Sequence, residues 1–357
     1  IVKDRIFSAM ERYITRALGD DGYCSEGFSY WVYGFGFFTL FYDLYCQFTG
    51  ERPAILDSQK VKNTIQFAKN SILDNGLFLP IADGGSKGEH NEAPILYVIN
   101  RLFNTNLVLN NGREIEPDTQ VLGTRVLCDV NNQPSEDKKE VSCVYFDSSQ
   151  VLVRKKENYV FVAKGGNNAE MHNHNDLGAF SIVKNGKQYI CDPGVGEYTN
   201  GYFNSAAIRY SKETFVCSSL GHSVPMIDGK TQKNGKEYFA KVIDRSEDLI
   251  SFDLTNAYPE NTVNVKVIYE TLEDGVKASY NVEGASDVTF RFVTFIEPKI
   301  DGKNVKIEDL TLSSNLGVAP EISRVDYFGF LHVAKVAYTI DYKVKDKNVN
   351  AKFNFEF

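Results

Sequence analysis

The hydrophobic pattern of this chain changes its period near residue 125. Before Gly19, apolar residues recur every four positions, which is the spacing of an amphipathic helix that a glycine then ends. These residues are Ile6, Met10, Ile14 and Leu18. Further helices are predicted over 29–48, over 57–73 behind an Asp-Ser cap, and over 93–103. Residues 1–105 therefore form a run of consecutive helices.

After Arg125 the apolar residues alternate or form short β-branched and aromatic runs, which is typical of strands. Asn185-Gly186 between two such runs is a strong hairpin signal. The runs are 151–153, 159–162, 180–183, 189–191, 263–267, 288–292 and 351–355. We predict an α+β multidomain chain in which 1–125 is helical and 126–357 consists of packed sheets. The polar stretch 131–139 is the best candidate for a linker.

Charge and composition exclude several classes of protein. The net charge is −8 and the isoelectric point is near 5.3, so no global positive field attracts nucleic acid or an anionic membrane. No run of about 18 apolar residues occurs, and the aromatic stretch 28–48 is interrupted by polar residues and glycines, so a buried helix is expected there rather than a membrane span. The first residues lack the basic and apolar regions of a secretory signal.

Cysteine spacing argues against the common cysteine-based sites. The six cysteines are widely spaced and include no CxxC, so neither a zinc ribbon nor a thioredoxin-type site is indicated. Their even number permits disulfides without requiring them.

Three of the five histidines fall in one central stretch, His172 and His174 in the run 171–178 and then His222. Asp192 opens an Asp-Pro-Gly turn between them. Zinc accepts imidazole nitrogen and carboxylate oxygen, and His174, Asp192 and His222 would leave a fourth position for water. Their spacing is too long for one helix or turn, so strands and loops would have to bring them together. Spacing alone is equally compatible with hydrogen-bonded polar residues at turns.

Two groups of motifs resemble the heparinase II/III-like family. One group consists of 172–181 (HNHNDLGAFS), Asn185-Gly186, 192–199 (DPGVGEYT) and 222–229 (HSVPMIDG), in that order. The other is 21–31 (DGYCSEGFSYW), which is similar to the family's DGxxxEGxxY segment at a helix start. The resemblance covers residues 21–229. It implies a polysaccharide lyase whose helices form an (α/α) toroid, incomplete here, followed by a large antiparallel β-sandwich.

The resemblance also implies roles for single residues. The zinc ligands would be His174, Asp192 and His222, while His172 and Tyr30 would transfer protons in the cleft, with Tyr33 as the substitute for Tyr30. Further residues are expected to contact substrate or face the cleft, although a surface salt bridge explains Arg209 equally well. They are Glu26, Asn173, Tyr202, Arg209, Tyr210 and the loop motif Asp83-Gly84-Gly85.

The implied reaction is β-elimination on an acidic, uronic-acid-containing polysaccharide. It requires neutralisation of the uronate carboxylate, a base for the C5 proton and an acid for the leaving oxygen. Tyr30 and His172 suit the base and the acid, and Tyr30 acts as a base only where its surroundings favour phenolate. The family's neutralising Asn or His lies upstream of the DGxxxEGxxY segment. The residues before Asp21 contain neither, so we expect this chain to be the C-terminal portion of a longer protein, or else inactive.

Two other readings stay open. One is a zinc-dependent hydrolase with Glu26 or Asp176 as base. The other is a non-catalytic glycan-binding or capsule-assembly protein that keeps the zinc site. We expect zinc to position the cleft rather than to react. A homodimer is compatible with the pattern, and the resemblance favours a periplasmic or secreted protein. His90 and His332 match no motif, and His332 is expected to pack within a strand.

Overall fold

The computed structural model describes residues 2–84, 93–107, 141–258 and 263–357. The N-terminal part contains four helices among these residues. They are α1 Val2–Ala17, α2 Phe28–Thr49, α3 Gln59–Ser71 and α4 Ala93–Phe103. Ser58 caps α3, because its hydroxyl accepts a hydrogen bond from the Val61 N–H. The helices predicted from the periodicity are confirmed, apart from small shifts of their ends.

Helix α2 is the centre of the helical part. One face buries Trp31, Phe35 and Phe38 completely or nearly so, and the Trp31 indole N–H donates to the Thr64 hydroxyl at 2.7 Å. The opposite face leaves Phe37 about half exposed. The expectation of a buried helix rather than a membrane span agrees with this packing. None of the described helices has the length and apolar character needed to cross a membrane.

The β part contains antiparallel sheets of five, eight, four and two strands in the described residues. The strands are β1 Ser142–Phe146, β2 Val151–Lys155, β3 Val160–Lys164, β4 Asn167–Asn168, β5 Phe180–Lys184, β6 Lys187–Ile190, β7 Pro225–Ile227, β8 Gly235–Phe239, β9 Lys241–Arg245, β10 Leu249–Asp253, β11 Asn264–Thr271, β12 Gly275–Glu283, β13 Val288–Thr294, β14 Lys299–Asp301, β15 Asn304–Ile307, β16 Leu310–Ser314, β17 Glu321–Gly329, β18 Val333–Val344 and β19 Asn348–Glu356. The strand orders in the four sheets are β1-β2-β3-β5-β6, β14-β15-β16-β19-β12-β11-β10-β9, β17-β18-β13-β7 and β4-β8. The predicted α+β architecture is confirmed.

The central strands of the five-stranded sheet, β2, β3 and β5, are buried on both faces. Val153 and Val162 pack into the helical core, whereas their neighbours Leu152 and Phe161 pack into the core of the sandwich. Successive side chains of a strand point to opposite faces, so a strand covered on both sides becomes a continuous apolar run. The helical and β parts therefore share this sheet. The predicted boundary at residues 125 and 126 and the linker 131–139 lie outside the described residues.

The connections after β5 follow from local turn chemistry. Asn185 and Gly186 have φ values of 51° and 73°, as the predicted hairpin requires, and they join β5 to β6. The longer connection from β6 to β7 contains two short helices and two 3-10 turns. These are α5 Asn200–Asn204, α6 Ala206–Arg209, Phe215–Cys217 and Ser219–Gly221. This connection packs against the helical part and carries much of the candidate site.

The described cysteines carry free thiols: Cys24, Cys46, Cys143, Cys191 and Cys217. Cys128 lies outside the described residues. The disulfides that the even count permits are therefore not formed among the described cysteines.

Candidate active site and metal centre

The two histidines of the HxH pair lie in a loop between β4 and β5 and differ in exposure. His172 has a left-handed backbone, with φ at 55°, and 22% of its side chain is exposed. The side chain of His174 is 0% exposed. The loop therefore presents one imidazole to the cleft and sends the other into the interior.

Asp83 connects the two imidazoles. Its Oδ2 lies 2.8 Å from His172 Nδ1 and 3.0 Å from an Arg209 guanidinium nitrogen. Its Oδ1 lies 3.0 Å from His174 Nε2 and also accepts the Tyr202 hydroxyl. Burial by itself would raise the pKa of Asp83, but the hydrogen bonds from the two histidines and the charge of Arg209 outweigh it and hold the pKa well below its usual value. Asp83 is therefore an ionised acceptor.

Close backbone contact brings Asp83 to the start of α2. Asp83 lies in the 3-10 turn Ala82–Gly84, and a Cβ on Gly27 would come within 2.6 Å of the Gly84 Cα. The Ser29 hydroxyl also donates to the Gly84 carbonyl at 2.6 Å. Glycine at both positions lets the turn rest directly on the first turn of α2, which carries Tyr30.

Tyr30 and His172 form a stacked pair at the junction of the helical and β parts. Their ring centroids are 4.2 Å apart, with 29° between the ring planes. The Tyr30 hydroxyl lies 2.5 Å from the Tyr198 hydroxyl, and Glu26 Oε2 lies 3.8 Å from His172 Nε2. Burial is the main cause that raises the pKa of Tyr30, and the nearby carboxylates of Asp83 and Glu26 add to it. The Tyr30 phenol is therefore protonated in this environment.

His174, Asp192 and His222 offer ligand atoms that all lie within 4.8 Å of one another, and all three residues are buried. His222 Nε2 is 2.7 Å from the Val216 carbonyl, and His174 Nε2 faces Asp83. Each Nε2 therefore has a hydrogen-bond acceptor, which leaves the two Nδ1 atoms as the positions that could bind a metal. His174 Nδ1 has no hydrogen-bond partner among the described residues, and His222 Nδ1 lies 3.3 Å from Asp192 Oδ2. This donor set fits zinc.

The surroundings of the set also suit a cation. Burial alone would raise the pKa of Asp192, but the charge and hydrogen bond of His222 lower it, so the carboxylate is ionised. A small cavity beside the set has room for about one water-sized sphere. Its polar lining residues are Lys164, Asp176, Ser181, Asp192 and His222.

Asp83, His174 and Cys217 form a second set of close ligand atoms. This set fits a metal poorly for two reasons. Asp83 already accepts four hydrogen bonds and faces the Arg209 cation. Burial, followed by the charge of Asp83, raises the pKa of the Cys217 thiol, whereas a metal ligand has to be a thiolate. The first set is therefore the candidate zinc centre.

The residues expected to contact substrate form a layer behind His172. Arg209 is buried, donates to the Asn173 carbonyl at 3.2 Å and lies over the Tyr202 ring at 4.2 Å. The Tyr210 hydroxyl donates to Asn173 Oδ1 at 2.9 Å. A surface salt bridge is the wrong explanation for Arg209, because its partner Asp83 is fully buried. Direct contact between these residues and substrate stays a prediction.

Sequence reasoning missed Tyr198 and gave Asp83 only as part of a loop motif. Tyr198 lies within the DPGVGEYT run, but its contact with Tyr30 depends on residues far apart in the chain. The expectation for His332 is wrong: its side chain is exposed, pairs with Glu197 at 2.7 Å and stacks on Phe328. It lies in a turn, where no second layer covers it. His90 and Gly85 lie outside the described residues.

No protein-family model matches this chain, and no curated protein does. Solved structures do. A heparinase III structure superposes with a TM-score of 0.69 at 13% identity, covering 98% of this chain and 56% of that one. The heparan sulfate lyase HepC from Pedobacter heparinus superposes with a TM-score of 0.67 at 14% identity, covering 98% of this chain and 55% of HepC. A mutant of the chondroitin AC lyase of Streptomyces coelicolor A3 superposes with a TM-score of 0.54 at 9% identity, covering 95% of this chain and 54% of the lyase.

The chain spans about half the length of these structures. Their agreement over nearly all of its residues covers both the helices and the sheets. The fold implied by the sequence motifs is confirmed, and this chain has the heparinase-like polysaccharide lyase fold.

Proposed function

We propose that this chain is the core of a polysaccharide lyase that cleaves an acidic, uronic-acid-containing glycan by β-elimination. The observation that carries the proposal is the stacked Tyr30 and His172 pair at the junction of the two parts. Two side chains that are able to transfer protons lie side by side there on a partly exposed surface. The lyase fold supports the same reaction class.

The hydrogen bonds suggest which group is the base. His172 Nδ1 donates to the ionised Asp83, which leaves the Nε2 lone pair on the side of Glu26. His172 therefore acts as the base that removes the C5 proton, and the protonated Tyr30 donates to the leaving glycosidic oxygen. The electrons of the C5–H bond form the C4–C5 double bond as the C4–O bond breaks. The reverse assignment requires a Tyr30 phenolate, which burial disfavours.

The uronate carboxylate must be neutralised by another group. Arg209 contacts Asp83 beside the pair, but it is buried and held by Asp83 and Asn173. It therefore stabilises the network instead of binding a carboxylate. We propose that residues outside this chain supply the neutralising group, since the matched structures are about twice as long.

We propose zinc as the bound metal, held by His174, Asp192 and His222, in a positioning role. Bound zinc would neutralise the buried carboxylate and fix both imidazoles. Asp83 hydrogen-bonds to both His174 and His172, so fixing the His174 ring would also fix the orientation of His172, the proposed base. For the alternative of a zinc hydrolase, Asp176 forms a buried ion pair with Lys164, so that alternative depends on Glu26 as its base.

The test is turnover of a panel of uronate polysaccharides by the full-length protein, followed through the ultraviolet absorbance of the new double bond. Tyr30→Phe and His172→Ala should each lower kcat by about a hundredfold or more with the fold intact. Tyr33→Phe is the matched variant one turn along α2 and should keep turnover, because Tyr33 is exposed and packs against Phe37, whereas Tyr30 stacks on His172. Undiminished turnover in both test variants would refute the assignment. New reducing ends without the chromophore would indicate a hydrolase, and binding without product would indicate a non-catalytic protein.

A further inference from the structure

The turn between β17 and β18 has an unusual backbone. Gly329 and Val333 are the last paired residues, and Leu331 and His332 between them have φ values of 56° and 59°. Residues with a Cβ are disfavoured in this region, and two-residue turns with positive φ usually contain Asn and Gly. The Leu331 side chain is nevertheless 77% exposed. The turn thus keeps a large apolar side chain in solvent in a conformation that costs energy.

Tertiary contacts hold this turn against residues 196–198. They are the backbone bridge between Gly329 and Gly196, the 2.7 Å contact of His332 Nδ1 with Glu197 Oε1, and the edge-on packing of the Phe330 ring on Tyr198 at 5.2 Å. Strained backbone persists where its surroundings fix it, and such places cluster at functional sites. Here the surroundings include Tyr198, whose hydroxyl contacts Tyr30.

Two further exposed aromatic side chains lie beside this turn and beside Tyr198. Phe203 on α5 packs its edge against the Tyr198 ring at 4.7 Å and is about half exposed. Phe328 at the end of β17 is also about half exposed. We name Phe203, Phe328 and Leu331 the cleft ledge. Phe203 contacts Tyr198 directly. Phe328, which has one ring face against His332, and Leu331 belong to the turn whose Phe330 packs on Tyr198. Since Tyr198 contacts Tyr30, the ledge borders the surface on which the reaction is proposed.

We propose that the cleft ledge is a carbohydrate subsite that binds a pyranose ring of the same glycan chain, next to the sugar that is cleaved. The proposal rests on the proposed function. Aromatic faces carry partial negative charge and attract the C–H faces of a sugar ring. The exposed pair of Glu197 and His332 supplies a hydrogen-bond acceptor and donor beside the ledge. Apolar surface with a few polar groups is the usual composition of a small-ligand site.

The test uses the full-length protein and size-defined oligosaccharides of heparan sulfate and of alginate. Leu331→Asn removes the apolar side chain but keeps a residue that tolerates positive φ, and Phe203→Ala removes the exposed ring. Each variant should weaken binding of oligosaccharides long enough to reach the ledge by about threefold to tenfold. Binding is read by calorimetry and KM from the double-bond absorbance. The shortest cleavable oligosaccharide should keep its KM.

Phe48→Ala, a highly exposed aromatic at the far end of α2, is the control and should leave binding unchanged. Equal loss on short and long oligosaccharides would mean that the ledge is only structural and would overturn the proposal, as would unchanged binding in both variants. If the full-length protein binds glycans without cleaving them, the proposed reaction fails while the binding series still decides the ledge. If it binds no glycan, both proposals fall.

Discussion

His172 and His174 are two residues apart, yet they belong to regions with different physical properties. His174 lies in a buried cluster with Asp192 and His222, where the lone pairs of buried groups converge. His172 lies at a partly exposed edge beside Tyr30. Asp83 contacts both imidazoles. Burial, rather than residue type, therefore separates the proposed metal-ligand position from the proposed proton-transfer position in this molecule.

The largest effect is expected from a substitution of Asp83, the residue that contacts both regions. Asp83→Asn removes the charge that Arg209 and the two histidines face, leaving a buried cation without its partner. We expect the free energy of unfolding to fall by about 3–5 kcal/mol, measured by urea denaturation. Asp326→Asn removes a carboxylate from an exposed ion pair with Arg324 and should show no measurable change. Equal effects in both variants would show that Asp83 is not the connection between the regions.

Zinc tests the buried region alone. At free zinc about a hundredfold above its Kd, we expect the free energy of unfolding to rise by about 2.7 kcal/mol, and His222→Ala should lose this gain. Cys217→Ser should keep it, because Cys217 belongs only to the poorly fitting set. Zinc content and thermal unfolding with and without chelator are the measurements. Loss of zinc in Cys217→Ser but not in His222→Ala would move the metal to the other set.

Beside the buried region lies Glu170, whose carboxylate is only partly balanced by a neighbouring cation. Burial is the main cause that raises the pKa of Glu170 from 4.5 to about 7, and Lys164, already paired with Asp176, only partly opposes it. Between these two pKa values the folded state binds more protons than the unfolded state, so stability falls as pH rises through this window. Glu170→Gln should remove about 2 kcal/mol of this pH dependence. The exposed Glu321→Gln should keep the full dependence in urea titrations at pH 5 and pH 8.

The smallest effect concerns the exposed edge. Tyr198→Phe removes the hydroxyl that lies 2.5 Å from the Tyr30 hydroxyl. Since one hydrogen bond contributes about 1 kcal/mol, kcat should fall by about fivefold at most and the free energy of unfolding by no more than about 1 kcal/mol, while zinc binding stays unchanged. A loss as large as that of Tyr30→Phe would instead make Tyr198 a proton-transfer group in its own right.

Much of the fold was predictable because it depends on short-range patterns. Four-residue spacing predicted the helices, Asp57-Ser58 predicted the start of α3, and Asn185-Gly186 predicted a hairpin. The doubly buried five-stranded sheet was visible only as short apolar runs. The local sequence does not show that the helices cover one face of this sheet and the sandwich the other. Val153 packs against the helical part and Leu152 against the sandwich, and these partners come from different parts of the chain.

The candidate site was predictable in its residues but only partly in its connections. The motifs pointed to His174, Asp192 and His222, and the structure brings these three together. Asp83 was noted only as a loop motif, since a single Asp-Gly pair is a common turn signal. Its four hydrogen bonds come from side chains about 90 or more positions away in the chain.

The sequence by itself determined the helices, the strands and the kinds of side chain gathered at the centre of the chain, because periodicity, caps and turn residues act over a few positions. Only the tertiary structure decided which imidazole is buried and which is partly exposed. That choice depends on the packing of the Ala82–Gly84 turn against α2 and on the left-handed backbone of His172. Both arise from contacts between distant segments, and the resulting burial, hydrogen bonds and charges raise the pKa of Tyr30 and lower those of Asp83 and Asp192.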